Sequence, residues 1–448
     1  MPTALTLVDP PSFFGAVGTS GAGWATDERP KSFRQKILQL NPNGMMPLTA
    51  ITSVMSNEAV DDPEFSWWEK QLPLQGGTTN IYTADSLTTA YSNQAVAAGT
   101  IVYAKVSATV LGHFRVGHEV RLTAGYSAVK ALVGKIVGTR SNGANSWLAI
   151  KMISADPSNY LADSDYVGVI GNVNPEGSAR PNFIGYKPTK KYNFTQIFRN
   201  PYRITRTARK TKLRTRDALQ SLRQEQLMLH GLDIERALLW GERSESTTGT
   251  ESGEPERTFR GIIKWIQNDA PQNAFSFYDD VGDYAGKAWA DAGIDAIEDR
   301  MEQLFQYGSQ EKMCLCGTGF LKGINQVARL WGNMNMTTGA TSFGLRVTRW
   351  ETPYGVVYFK THPLFQRNET DRYSGLFVEP QNLKIRVLTD TMLVNQNGEP
   401  IIGDDGYDGT LEEYIAELGL ELHFPETFGY WTGIGLNNAT YSASQSLG

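Results

Sequence analysis

The sequence predicts an α+β fold, and three observations predict it. A single long helical pattern lies near the middle of the chain, over 216–241. The stretch ahead of it, over 82–175, reads as short strands and turns at barrel-like intervals. The stretch behind it mixes amphipathic helices with short strands and ends in a clean alternation of apolar and polar residues.

Composition sets the outer bounds. At 448 residues the chain is long enough for two or three domains and a large core. Its 42 Lys and Arg against 47 Asp and Glu give a formal charge of −5, so it is not a globally basic protein. The two cysteines, Cys314 and Cys316, stand too close in sequence to staple anything, which makes a reducing compartment the default. No apolar run approaches the ~18 residues of a membrane span. The N-terminus lacks the basic-then-apolar order of a signal peptide, so no membrane partner is expected.

Taken in order, residues 1–60 carry Pro, Gly and scattered Ser/Thr and read as an extended arm. Phe13, Phe14, Trp24 and Phe33 give that arm something to bury against a neighbour. Residues 61–73 form an aromatic and acidic segment that reads as a strand or hook. Adjacent Trp67 and Trp68 on a strand point to opposite faces, so one packs inward and one is a candidate intersubunit contact; both are carried as candidates. The β module follows, and its strands centre on Ile101, Val120, Leu132 and Leu148.

The central stretch then carries eleven positive charges with no acid among them: Lys187, Lys190, Lys191, Arg199, Arg203, Arg206, Arg209, Lys210, Lys212, Arg214 and Arg216. Two readings stand side by side. Lys and Arg can neutralise nucleic-acid phosphates without reading sequence, or their forks can meet carboxylates on an adjacent subunit. Pro201 and the threonines favour an extended form, which would split these charges between two faces. The helix after it has an acid, Asp217, in the first turn, Leu219, Leu222, Leu229 and Leu232 at near-helical spacing, Leu227 widening the face, and Gly241 as a stop. Gly231 marks a place for a kink.

Behind the helix, 291–307 is an amphipathic helix with Ile294, Ile297, Met301 and Leu304 on one face. A buried strand through Cys314 and Cys316 leads into a second helix opened by Gly317-Thr318-Gly319. Strands follow over 345–351, 355–361, 383–388 and 392–395. Leu418, Leu420, Leu422 and Phe424 alternate with polar residues as a half-buried strand, and 429–435 reads as its shorter partner.

Signatures of catalysis are absent from the sequence, and no cofactor is called for. The glycines at 317, 319 and 323 lack dinucleotide spacing and read as helix capping. Cys314 and Cys316 have no nearby His or Cys to complete a metal set. The five histidines form no H-E-x-x-H, and His113 and His118 read as solvated residues beside a turn. Asp404, Asp405 and Asp408 lack the spacing of a calcium loop, and no G-x-S-x-G elbow occurs.

The order of parts resembles the major capsid proteins of tailed bacteriophages with the Hong Kong 97-type fold, in the branch whose extended loop carries an inserted β module. The pieces that carry the resemblance are 169–178, the entry Phe194-Thr-Gln-Ile-Phe-Arg-Asn-Pro-Tyr-Arg-Ile-Thr-Arg-Thr-Ala208, Ile234-Glu-Arg-Ala-Leu-Leu-Trp-Gly241, Arg257-Thr-Phe-Arg-Gly-Ile262 and 403–422. The resemblance implies an N-terminal arm (1–60) and an extended loop (61–186) with a small β-barrel-like module (about 82–175). It implies a peripheral domain (187–275) with a spine helix (216–241), an axial domain (276–400), and return strands with a C-terminal tail (401–448). It further implies self-assembly into hexamers and pentamers of an icosahedral head around double-stranded DNA, with scaffolding, portal and decoration proteins as partners. The virion would be its location and the host cytoplasm its place of assembly. An encapsulin-like nanocompartment shell shares the fold and is the alternative. A nucleic-acid- or carbohydrate-processing enzyme with an accessory β domain is the competitor from another class.

Overall fold

The computed structural model describes residues 57–442, apart from 73, 93–94, 125–126, 157–159, 212–216, 249–252, 332–335, 343–344, 367 and 395–408. The expected N-terminal arm up to residue 56, the aspartate loop at 403–408 and the last three basic residues, Lys212, Arg214 and Arg216, therefore lie outside the described residues.

The chain opens with β1 (Asn57–Ala59) and β2 (Glu64–Glu69). Successive side chains leave a strand on opposite sides, and β2 obeys that rule: Phe65, Trp67 and Glu69 are buried, while Trp68 is 66% exposed.

Residues Trp67–Lys191 form one of two compact units. Its strands are β3 (Gly76–Thr78), β4 (Asn80–Tyr82), β5 (Ile101–Val106), β6 (His118–Ala124), β7 (Ser127–Arg140), β8 (Ser146–Met152) and β9 (Tyr166–Asn172), with a one-turn helix α1 (Ala108–Leu111) after β5. They pair in the order β3-β9-β6-β7-β8-β5-β4. The two end strands are consecutive in sequence and separated only by Thr79. Its N–H donates to the Asp165 carbonyl (2.8 Å), and its hydroxyl donates to the Lys105 carbonyl (3.0 Å). One kinked segment thus serves as both edges and closes the sheet into a barrel, which removes the unpaired backbone groups an open edge would present. Val102, Ala104, Val120, Leu122, Ile136, Leu148 and Ile150 alternate inward and fill it. His118 also lies inside, against the sequence expectation of a solvated ring: it is buried and accepts a hydrogen bond at Nε2 from Arg115 (3.1 Å). β10 (Thr189–Phe194) then pairs with β2.

The second unit comprises the described residues 57–66 and 192–442. Its elements are β11 (Gln196–Thr205), α2 (Arg206–Lys210), α3 (Ala218–Trp240), β12 (Ser244–Ser246), β13 (Glu256–Thr258), α4 (Ile262–Asp269), β14 (Ala274–Ser276), α5 (Trp289–Leu304), β15 (Glu311–Cys316) and α6 (Thr318–Trp331). They continue with β16 (Met336–Ser342), β17 (Leu345–Glu351), β18 (Val356–Thr361), β19 (Gly375–Val378), β20 (Leu383–Val394), β21 (Gly409–Leu422) and β22 (Gly429–Thr432). Two sheets organise them. A four-stranded sheet runs β1-β20-β21-β11, and a seven-stranded sheet runs β14-β22-β19-β15-β18-β17-β16. The larger sheet shares one aromatic core with α5 and α6, in which Trp289, Phe320, Phe359, Phe377 and Trp431 are buried. Cys314 and Cys316 sit in that core on the central strand β15, both fully buried.

The spine helix α3 spans 23 residues, roughly 34 Å at 1.5 Å per residue. Asp217 caps it, its carboxylate accepting from the Leu219 N–H (3.1 Å), and Gly241 ends it. The helix runs unbroken through Gly231, so the expected kink is not needed. Gly241 and Gly261 meet where the chain crosses itself after α3. A Cβ on Gly261 would stand 2.7 Å from the Gly241 nitrogen and 2.8 Å from the Ala237 carbonyl oxygen, closer than any side chain tolerates.

Two strand readings are corrected. The segments at 383–388 and 392–395 are one strand, β20, paired antiparallel with β21 in the four-stranded sheet. The strand at 429–432 does not partner the strand before it but pairs with β14 and β19 in the larger sheet. Phe424 is the cause: it adopts a left-handed φ of 50°, and Pro425 opens a 3-10 turn, so the chain leaves one sheet and enters the other.

Candidate subunit and nucleic-acid interface

The basic stretch folds as strand, strand and short helix. Lys190 and Lys191 lie on β10, with Lys187 just before it; Arg199 and Arg203 lie on β11; Arg206, Arg209 and Lys210 lie on α2. The extended form prevails up to Thr205, whose hydroxyl accepts from the Ala208 N–H (3.2 Å) and starts α2. On β11 the period of two sorts the side chains. Phe198, Tyr202 and Ile204 are buried, while Ile197, Arg199, Pro201 and Arg203 are exposed.

That sorting brings Arg199 against an acid on the neighbouring strand of its own chain. β11 is antiparallel to β21, with Arg199 opposite Ile415 and Pro201 opposite Glu413. Arg199 Nη2 pairs with Glu413 Oε1 at 2.6 Å, and its Nε donates to Oε2 at 3.1 Å. The Thr195 hydroxyl donates to Glu417 (2.8 Å), and Arg209 donates to the Thr410 hydroxyl (3.4 Å). Farther along, Glu421 is bonded by Arg386 and His423, and Glu58 by Lys384 (2.8 Å) and Arg386. The expectation that the charges need phosphates or a neighbour's acids is therefore corrected for Arg199, whose acid is on its own chain. The signal was present in the sequence: Glu413, Glu417 and Glu421 recur every four residues, hence on one face of a strand.

The opposite face of the same sheet carries α3. Tyr202 and Arg223 both bond Glu412, whose side chain is fully buried; the guanidinium meets it fork to fork at 2.5 and 2.8 Å. Burial raises the Glu412 carboxyl, but the hydrogen bonds from Arg223 and Tyr202 outweigh it and hold the group below its ordinary value. Burial and the carboxylate push the Tyr202 phenol up. Two turns on, His230 Nδ1 bonds Asn200 (2.7 Å), and Asn200 donates to Asp233 (3.1 Å). Glu235 reaches the other side of the helix, where it accepts from His362 Nε2 at 2.8 Å. The ring's other nitrogen accepts from the Leu364 N–H, which fixes the proton on Nε2. These buried polar pairs were invisible before folding because their members lie 30 to 210 residues apart.

The aromatic pair resolves by exposure. Trp67 is buried and its indole N–H donates to Glu69 (2.8 Å), so it is not open to another subunit. Trp68 is the exposed member. Leu227 and Leu229, expected on the buried stripe of the spine helix, are 47% and 40% exposed. Among the described residues, no group of three or more His, Cys, Asp and Glu stands close enough to hold a metal, and no helix is long and apolar enough to cross a membrane.

A family model described as the SU10 major capsid protein matches residues 15–435 of the chain. The major capsid protein of Pseudomonas phage PaMx41 is 27% identical over 350 residues, covering 75% of this chain and 73% of the relative. Among solved structures, the chain is similar to one from Mycobacterium phage Bobi, at 12% identity and a TM-score of 0.37, covering 78% of this chain and 96% of that one. It is also similar to the capsid of Myoviridae phage XM1, at 11% identity and a TM-score of 0.35, covering 58% and 81%.

Proposed function

Because the chain belongs to the SU10 major capsid protein family, we propose that it is the coat subunit of a phage head, built on the Hong Kong 97-type fold, which closes into hexamers and pentamers around double-stranded DNA. The observation that carries this reading is the family match across 15–435, which spans the barrel, the spine helix and both sheets of the second unit. The same match favours a viral head over a nanocompartment shell. Assembly, not turnover, is the output, and it needs surface left for neighbours. Trp68, Leu227 and Leu229 supply exposed apolar area of the kind that subunit interfaces bury. Scaffolding and portal proteins are the expected helpers, with the virion as destination and the host cytoplasm as the place of assembly.

The test is negative-stain microscopy of the purified chain, alone and co-expressed with its phage's scaffold. Closed shells or capsomers of five and six subunits are the expected result. A monodisperse monomer under every condition overturns the reading.

A further inference from the structure

The barrel carries a surface that the coat-subunit reading does not use. Residues 67–191 hold twelve Lys and Arg against seven Asp and Glu, while the rest of the chain holds thirty against forty. The excess has a location. Arg140, Trp147 and Lys105 stand directly opposite one another across β7, β8 and β5, and Lys135 stands opposite Lys151 across β7 and β8. All five side chains are on the outer face, exposed or half-buried. Trp147 packs edge-on against Tyr103, with ring centroids 5.2 Å apart. Glu119, opposite Lys135 on β6, is the acid within this register row. Like charges directly opposite on neighbouring strands cost stability, and none of the four basic residues has an ion-pair partner among the described residues.

A matching surface lies on α5. Asp291, Asp295, Glu298 and Glu302 follow one another at helical spacing along its exposed side, again with no ion-pair partner among the described residues. Arg300, the basic residue of this helix, is turned over the Phe275 ring (4.5 Å). Like charges four residues apart weaken a helix. Beside the stripe an apolar cavity of about 300 Å³ opens, lined by Ile297, Met301, Val327, Trp350 and Tyr354. The acidic stripe runs roughly 16 Å at 1.5 Å per residue. The basic patch runs roughly 13 Å from Trp147 to Lys151 at ~3.3 Å per residue.

We propose that the basic outer face of the barrel, Lys105, Lys135, Arg140 and Lys151 around Trp147, docks on the acidic face of α5 in a neighbouring copy of the chain. The inference rests on the coat-subunit reading, since it needs many copies held side by side. Each surface repels itself in the free chain, the charges match four to four, and each sets its charges beside apolar surface, Trp147 on the barrel and the cavity at Ile297 and Tyr354 on α5. The contact is an attraction between exposed charges, so salt weakens it.

The experiment compares three full-length variants with the wild type in shell assembly. One has Lys105, Lys135, Arg140 and Lys151 changed to Glu, one has Asp291, Asp295, Glu298 and Glu302 changed to Lys, and one has both sets. Juxtaposed like charges should cut assembly by more than about tenfold in each single set. The combined variant should recover it, and a barrel that merely failed to fold could not be rescued by changes on α5. Single-set variants that assemble like the wild type overturn the proposal. So does loss without rescue, together with loss of retention on a heparin column, which would assign the barrel face to an anionic polymer. Wild-type protein that forms no shell instead overturns the coat-subunit reading, and this contact with it.

Discussion

At the residue scale, the strongest constraints are buried ions whose partners are fixed. Glu412 is the clearest, held by Arg223 and Tyr202 between β21, α3 and β11. Changing Glu412 to Ala leaves a partly buried guanidinium and a buried phenol without their acceptor. Breaking one side of such a pair costs about 3–5 kcal/mol, which a denaturant titration of the unassembled protein reads directly; a loss under about 1 kcal/mol would mean that water replaces the carboxylate. The pH dependence has a sign. Burial raises Glu412 and Glu421, but their hydrogen bonds outweigh it and hold both below the ordinary 4.5, and the Lys384 hydrogen bond lowers Glu58 likewise. Their stabilisation is full above the unfolded value and is lost as pH falls through the folded one. Burial also depresses His230 and His118 below 6.5, so the unfolded chain takes up those protons first as pH drops. The melting temperature should therefore begin to fall below about pH 6.5 and fall more steeply below about pH 4.5. A melting temperature flat from pH 7 to pH 4 would contradict both assignments. Burial pushes the Cys314 thiol up, so it should resist alkylation until the chain unfolds.

At the scale of elements, α3 is held by its ends and by polar pairs more than by an apolar stripe. Its last turns are buried at Ile234, Leu238 and Leu239, whereas Leu227 and Leu229 face outward. The crossing of Gly241 and Gly261 lets α4 start directly against the end of the helix, with the Gly261 N–H donating to the Gly241 carbonyl (2.8 Å). Gly261 to Ala should cost well over about 1 kcal/mol, because every atom in the way is backbone. Thermal melting of that variant measures it; a neutral result would show that α3 and α4 can separate. Leu227 and Leu229 to Ser should leave the melting temperature of the isolated chain within a few degrees and lower assembly yield, since exposed positions contribute little until a partner covers them.

At the scale of the whole molecule, the two units make separate demands. The barrel closes its own sheet through Thr79 and has its own core, so residues 67–191 expressed alone should give a dispersed amide spectrum. Collapse of that spectrum would show that closure depends on the rest of the chain. The basic run now carries a narrower DNA hypothesis than its charge count implied, since Arg199 is matched by Glu413. Arg206, Arg209 and Lys210 on α2 remain exposed. Changed together to Gln, they should leave empty shells intact while packaged ones lose stability, with the difference shrinking as salt rises. Failure of empty shells would assign these residues to subunit contact instead.

Local chemistry determined a great deal by itself. The spine helix from Asp217 to Gly241, the strand through Cys314 and Cys316, and the opposite fates of Trp67 and Trp68 follow from period, caps and alternation, which act within a few residues. The sequence also held the acid period of Glu413, Glu417 and Glu421, legible only once β11 is known to lie beside it. Tertiary structure alone decided what those periods face. It set Arg199 against Glu413, joined Glu235 to His362, turned Leu227 and Leu229 outward, and sent Gly429–Thr432 into the other sheet through the turn at Phe424. The physical reason is that pairing across more than a hundred residues depends on which strand becomes a neighbour. That choice is settled by burying two cores at once, not by any propensity a short window contains.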